Sequence, residues 1–338
     1  MKKLLTLALV CAFASSFVLG ADVYVAPGGT GDGSSVDSPT ADLSWALENV
    51  TEGCTVYLAP GEYSVKDFGN QYECWGQGNT VLAFKVNGSA LRGAGPDKTT
   101  IVAPNGFTGL RVERNNVTLA DLSVKSYGTD WNAAAGYRAQ LNGALCACNC
   151  SGILVTNVAV YSEQNDANGI RPFNTYKVNS SVFANVAVYA PAHPAPVYVL
   201  GCDTVTFNNM TVQGKENGDQ AVYASKWWQG PSKSVVYNST LFSSFQKPFY
   251  IEPDTDVTIN GSVFYACPGE SRVEDGASLT INDCESYELG VNDPELSEID
   301  GYMLTAANKF YAGIGWHTLP EPAVFGLLAL VALFLRRK

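Results

Sequence analysis

Seven copies of one short apolar segment, each broken by a turn residue, run through the middle of this chain. They are VTLADLSV from Val117, ILVTNVAV from Ile153, SVFANVAV from Ser181, VTFNNMTV from Val205, VVYNSTLF from Val235, VTINGSVF from Val257 and LTINDCES from Leu279. Aligned on Leu122, Val158, Val186, Met210, Thr240, Ser262 and Cys284, they recur at steps of 36, 28, 24, 30, 22 and 22 residues. Their β-branched residues and Asn or Asp turns read as strands, and no amphipathic helical run competes with them. A unit this short cannot bury its own apolar face, so it must stack on its neighbours. Self-similarity at such a period predicts a solenoid.

A second ladder lies between these segments: GLRVE from Gly109, ALCAC from Ala144, GIRPF from Gly169, PVYVL from Pro196, AVYAS from Ala221, PFYIE from Pro248 and SRVED from Ser271. Strand alternation sends Leu110, Leu145, Ile170, Val197, Val222 and Phe249 inward and leaves Arg272 at that position in the last copy. Facing out, one per coil, come Arg111, Cys146, Arg171, Tyr198, Tyr223 and Tyr250, and two residues further on Glu113, Cys148, Phe173, Leu200, Ser225 and Glu252. Several short strands per coil with asparagines stacked at the turns describe an all-β parallel β-helix. A sandwich would need hairpin turns at shorter spacing.

The amino-terminal residues sharpen this. VYVAPGGTGDGSSVDSPT, the helix-like ADLSWALENV and then TEGCTVYLAPGEYSV resemble the entry of pectin lyase-like right-handed parallel β-helix proteins. The resemblance implies a short capping helix followed by the strand that opens the first coil. With the repeats it covers most of residues 22–290, of which 22–65 are cap and first coil. Residues 291–317, where the repeat breaks, are expected to cap the far end of the solenoid and shield its open edge. The superfamily includes lyases, hydrolases, epimerases, tailspikes and noncatalytic surface proteins, so the fold alone selects no activity.

The two ends address the chain. Lys2 and Lys3, an apolar run to about Leu19 and the small residues Gly20 and Ala21 read as a signal peptide over 1–21. Residues 318–338 carry Pro320, Glu321 and Pro322, an apolar run from Ala323 to Leu335 and a basic end of Arg336, Arg337 and Lys338. This resembles the PEP-CTERM sorting tails of Gram-negative bacteria. It implies a C-terminal hydrophobic helix, transient residence in the inner membrane, an exosortase-type partner and delivery to the envelope or extracellular matrix.

A net charge of −11 argues against nucleic acid as a partner, which calls for a basic stripe, and gives no steering towards polyuronates. Stacked on the coils, Asp166 and Asp219 come two turns apart, with His193 between them and Arg171 near. Carboxylates roughly 10 Å apart approach the geometry of an inverting glycosidase. His193, boxed by Pro191, Pro194 and Pro196, is also expected as a satisfied surface side chain, and both acids are ordinary turn formers. Tyr198, Tyr223, Tyr250, Trp227 and Trp228 offer aromatic faces on which sugar rings can stack. Only Asn165-Asp166 and Gly169 partly match a polygalacturonase box, and the Asp-Asp, Gly-His-Gly and Arg-Ile-Lys elements are missing. A lyase would require calcium, for which Asp166, Asp219 and Asp203 are a thin oxygen supply, and no other cofactor is expected.

Two function classes stay open on the sequence. The first is a noncatalytic surface or matrix protein that binds polysaccharide along the solenoid. The second is a carbohydrate-active enzyme, an inverting hydrolase before a lyase. Nine cysteines, eight without the leader, permit disulfides; Cys54 with Cys74 is the pair suggested by proximity in sequence. In CACNC, alternation puts Cys146, Cys148 and Cys150 on one side of a strand, which makes no closed metal site alone.

Overall fold

The protein is described from a computed structural model that places residues 20–68, 70–74, 77–103, 109–126, 143–162, 172–190, 193, 195–226, 230–265, 267, 271–287, 302–304 and 309–311. Their strands pair in parallel from coil to coil, apart from the antiparallel pair Asn70–Cys74 with Gln77–Ala83. The result is a parallel β-helix. One inward column runs through ten rungs: Val23, Val56, Leu91, Leu119, Val155, Phe183, Phe207, Tyr237, Ile259 and Ile281, and Leu304 pairs next in the same register. Within it the rings of Phe183, Phe207 and Tyr237 stack at centroid separations of 5.0 and 4.6 Å. Each ring covers the next, so burial and offset stacking reinforce one another along the axis.

The repeat read from sequence is the register of the structure. Leu122, Val158, Val186, Met210, Thr240, Ser262 and Cys284 fall on successive rungs. The residue before each of them is left-handed: Asp121, Asn157, Asn185, Asn209, Ser239, Gly261 and Asp283 have φ between 51° and 59°. That conformation costs an ordinary side chain free energy and suits Asn, Asp and Gly, which is why the turns are written with those residues. A second asparagine row lies just before. Asn238, Asn260 and Asn282 each donate a side-chain hydrogen bond of 2.8, 2.8 and 2.9 Å to Asn208, Asn238 and Asn260 respectively.

The amino-terminal cap is the helix Leu43–Asn49, started by Asp42, whose carboxylate accepts from Trp45 N at 2.9 Å. It lays Leu43, Ala46 and Leu47 on the first coil. Parallel rungs continue through Tyr302–Leu304 and Lys309–Tyr311, within the segment read as the far cap. The C-terminal apolar run lies outside the described residues, among which no helix is long and apolar enough to cross a membrane.

The second ladder needs three corrections. Phe173, not Ile170, aligns with Leu145 and Val197, so Asn174 rather than Arg171 takes the outward place and Tyr176 the place given to Phe173. Arg272 pairs with Tyr250 and therefore faces out, with no break in the pattern. Cys150 turns into the core while Cys146 and Cys148 stay outside, because Asn149 between them is left-handed (φ 50°) and resets the alternation.

Candidate functional site

The outer face of the second ladder gathers the polar and aromatic side chains. Its central column reads Arg111, Cys146, Asn174, Tyr198, Tyr223, Tyr250 and Arg272. Parallel pairing at about 4.8 Å per rung brings the three tyrosines into contact. Tyr198 and Tyr223 have centroids 4.9 Å apart, and Tyr223 and Tyr250 5.1 Å apart at a steep angle. Tyr223 and Tyr250 are half-buried, and the Arg272 guanidinium lies 4.4 Å over the Tyr250 ring. Tyr198 is buried in a cluster with Cys146, Cys148, Ala195 and Leu200, so of the three rings Tyr223 and Tyr250 are the ones open to solvent.

Two residues beyond this column the last two rungs carry acids, Glu252 and Glu274. Glu252 accepts from the Tyr223 hydroxyl on one oxygen and from the Ser225 hydroxyl on the other. Glu274 accepts from Tyr250 at 2.8 Å and from Arg272 at 2.7 Å. Burial, then the hydrogen bond to Glu274, pushes the Tyr250 phenol up to about 12; Tyr223 is pushed up further for the same reasons with Glu252. These hydroxyls stay protonated and hold the carboxylates in place.

At the amino-terminal end of the face sits a buried cluster that sequence reading did not identify as a unit. Arg111, 2% exposed, contacts Glu113 at 2.6 Å. Cys148 donates its thiol to the same Glu113 oxygen at 2.9 Å and accepts from the Arg111 Nε and Nη2 at 3.4 Å. The neighbouring Cys148, with help from Arg111, lowers the pKa of Cys146, and Cys146 together with burial raises that of Cys148. The other Glu113 oxygen is buried without a hydrogen-bond partner. The signal was in the sequence: opposite charges at i and i+2 of Arg-Val-Glu share one face of a strand, and the same triplet recurs at 272–274.

Of the four residues singled out from sequence as an acid–base site, only His193 and Asp219 are among the described residues. His193 is fully buried rather than exposed; its Nδ1 accepts from Ala195 N at 3.0 Å, closing a local turn in a Pro-lined loop. Asp219 is exposed, four residues before Tyr223 on the same strand, with Lys247 at 3.7 Å. Asp166, Arg171, Trp227, Trp228, Pro320, Glu321 and Pro322 lie outside the described residues. Among the described residues no group of three His, Cys, Asp or Glu side chains is placed to hold a metal. Cys54 carries a free thiol rather than a disulfide to Cys74; Thr51 donates to it at 3.2 Å.

No family model matches the chain, and no curated protein matches it in sequence. Solved structures do. Pectin methylesterase from carrot superposes with a TM-score of 0.54 at 12% identity over 89% of this chain and 91% of that one. The Aspergillus niger pectin methylesterase gives 0.51 at 12% over 92% and 95%. A mannuronic acid specific polysaccharide family 6 lyase from human gut microbiota gives 0.46 at 12% over 91% and 71%. The chain is a right-handed parallel β-helix protein. At such identities the likeness defines the fold, and function has to be argued from the side chains.

Proposed function

We propose that the protein binds polysaccharide along its tyrosine face and holds it without turning it over. The observation that carries this reading is the contact series Tyr198, Tyr223 and Tyr250 on three consecutive rungs. Pyranose rings present C–H faces that bury apolar surface against aromatic rings, and tyrosine supplies area at little entropic cost. The rigid sheet sets the aromatic spacing before any ligand arrives, which lowers the ordering cost of binding. Pectin methylesterases on the same fold give the reading a precedent in kind.

The noncatalytic half of the proposal rests on the groups that chemistry would need. Asp219 is exposed beside a lysine, His193 is buried within its own turn, and Glu252 and Glu274 are held by tyrosine hydroxyls. We further propose that the protein acts after export, in the envelope or matrix, where the leader and the sorting-type tail would deliver it by way of the inner membrane and an exosortase-type enzyme. Affinity electrophoresis against neutral, amino-bearing and acidic glycans, with reducing ends assayed in parallel, tests the binding proposal. Retardation without product, lost in Tyr223→Ala/Tyr250→Ala, is the expected result. Product formation that disappears in Asp166→Asn or Asp219→Asn would establish the hydrolase instead.

A further inference from the structure

We infer that the glycan held on the tyrosine face is cationic, a polymer bearing free amino groups, with Glu252 as its anchor. This rests on the reading that the tyrosine face binds glycan, and it adds the chemical class. Several charges around the strip are already neutralised within the chain. Arg111 is paired with Glu113, Arg272 with Glu274, Lys247 with Asp219 and Lys226 with Asp254. Lys177 lies beside the Tyr176 ring, 5.9 Å from its centroid. The four cations paired with carboxylates offer no unshared charge to a uronate, and among the described residues Lys177, two rungs before Tyr223, is the one of these cations that has a ring and no carboxylate beside it.

Glu252 is the opposite case. Its two oxygens accept from Tyr223 and Ser225, and among the described residues no cation pairs with it. It is half-buried and stands beside the middle ring of the strip. Two hydroxyl donors leave each carboxylate oxygen a further lone pair, and the negative charge itself is uncompensated. An ammonium group arriving over the tyrosines would meet both the carboxylate and the negative faces of the rings. The protein already uses this chemistry one rung away. There Arg272 lies over Tyr250 and reaches Glu274, so a cation, an aromatic face and a glutamate are assembled within one chain. At Tyr223 and Glu252 the aromatic face and the glutamate are present, and the ligand would bring the cation. The overall charge of −11 steers in the same direction.

The test uses the full chain and three oligosaccharide probes of equal length: deacetylated glucosamine oligomers, their N-acetylated counterparts and oligogalacturonate. Binding is measured by titration calorimetry at low and high salt in wild type, Glu252→Gln and Tyr223→Ala/Tyr250→Ala. The deacetylated probe should bind about tenfold more tightly than the acetylated one, the size of one charge-assisted hydrogen bond. Glu252→Gln, which keeps the side-chain shape, and high salt should each close the gap between the two probes. Equal affinity for both probes, a gap that survives in Glu252→Gln, or preference for oligogalacturonate overturns the inference. If the tyrosine double variant still abolishes binding in those cases, the reading of the face stands without it. Binding of no probe at all overturns both.

Discussion

Replacing Asn238 by alanine tests the coil register and the energetics of its turns together. Asn238 donates to Asn208 and accepts from Asn260, both at 2.8 Å, so the substitution breaks two hydrogen bonds in a partly buried row. At about 1 kcal/mol net for each, the loss is about 2 kcal/mol. Asn282 makes one bond in this row, to Asn260 at 2.9 Å, and Asn282→Ala should cost about half as much. The row also fixes a coupling. Asn238→Ala and Asn260→Ala each break two bonds, but the double variant breaks three, because the bond between them is shared. The double variant should therefore fall short of the sum of the singles by about 1 kcal/mol. Urea unfolding followed by far-ultraviolet circular dichroism measures all four proteins. Equal losses in Asn238→Ala and Asn282→Ala, with additive singles, would refute a continuous hydrogen-bonded row.

Three further outcomes follow from the same geometry. Glu113→Gln leaves Arg111 buried without its counter-ion and should cost about 3–5 kcal/mol in urea unfolding, whereas Arg111→Met with Glu113→Leu should cost much less; similar losses in both would mean the pair is wet. Because the Tyr250 and Tyr223 phenols are raised in the folded state above about 10, the unfolded value, their contribution is complete below about pH 10 and is lost as pH rises through about 12. The unfolding midpoint should fall over that window, and less steeply in Tyr250→Phe; an unchanged slope contradicts the assignment. Burial raises the Cys150 thiol to about 12 and those of Cys202 and Cys284 to about 11, so these three should resist an aromatic disulfide reagent until urea unfolds the chain; peptide mapping of natively labelled protein reads this directly.

How far the sequence could be read varies along the coil for physical reasons. The column from Leu122 to Cys284 was legible because each copy carries a left-handed Asn, Asp, Ser or Gly immediately before it, a steric demand that leaves a mark at every rung. The tyrosine column was legible in part. Tyr198, Tyr223 and Tyr250 follow clear alternation, but GIRPF offers two apolar residues three apart, Ile170 and Phe173, and parity selects the wrong one. SRVED, with Val273 its one apolar residue, has no alternation to fix its register, and Arg272 was misplaced by one position. Cys150 was misassigned because a left-handed Asn149 resets alternation inside an apparently regular strand. For the site, residue type pointed to Asp219 and His193; the fold puts Asp219 on an exposed strand beside Lys247 and buries His193, which residue type alone does not foretell. Glu252 was visible only as an outward acid, and the misplaced last copy hid Glu274. Their importance depends on which cations are satisfied elsewhere, and that is a property of the folded register.

The central claim is that the tyrosine face is where polysaccharide meets this protein. Calorimetric titration of the tightest-binding oligosaccharide into wild type and Tyr223→Ala/Tyr250→Ala tests it most directly, with circular dichroism to verify that both are folded. The account predicts affinity weakened at least about tenfold in the variant, with no product formed by either protein. Unchanged affinity in a folded variant would contradict it.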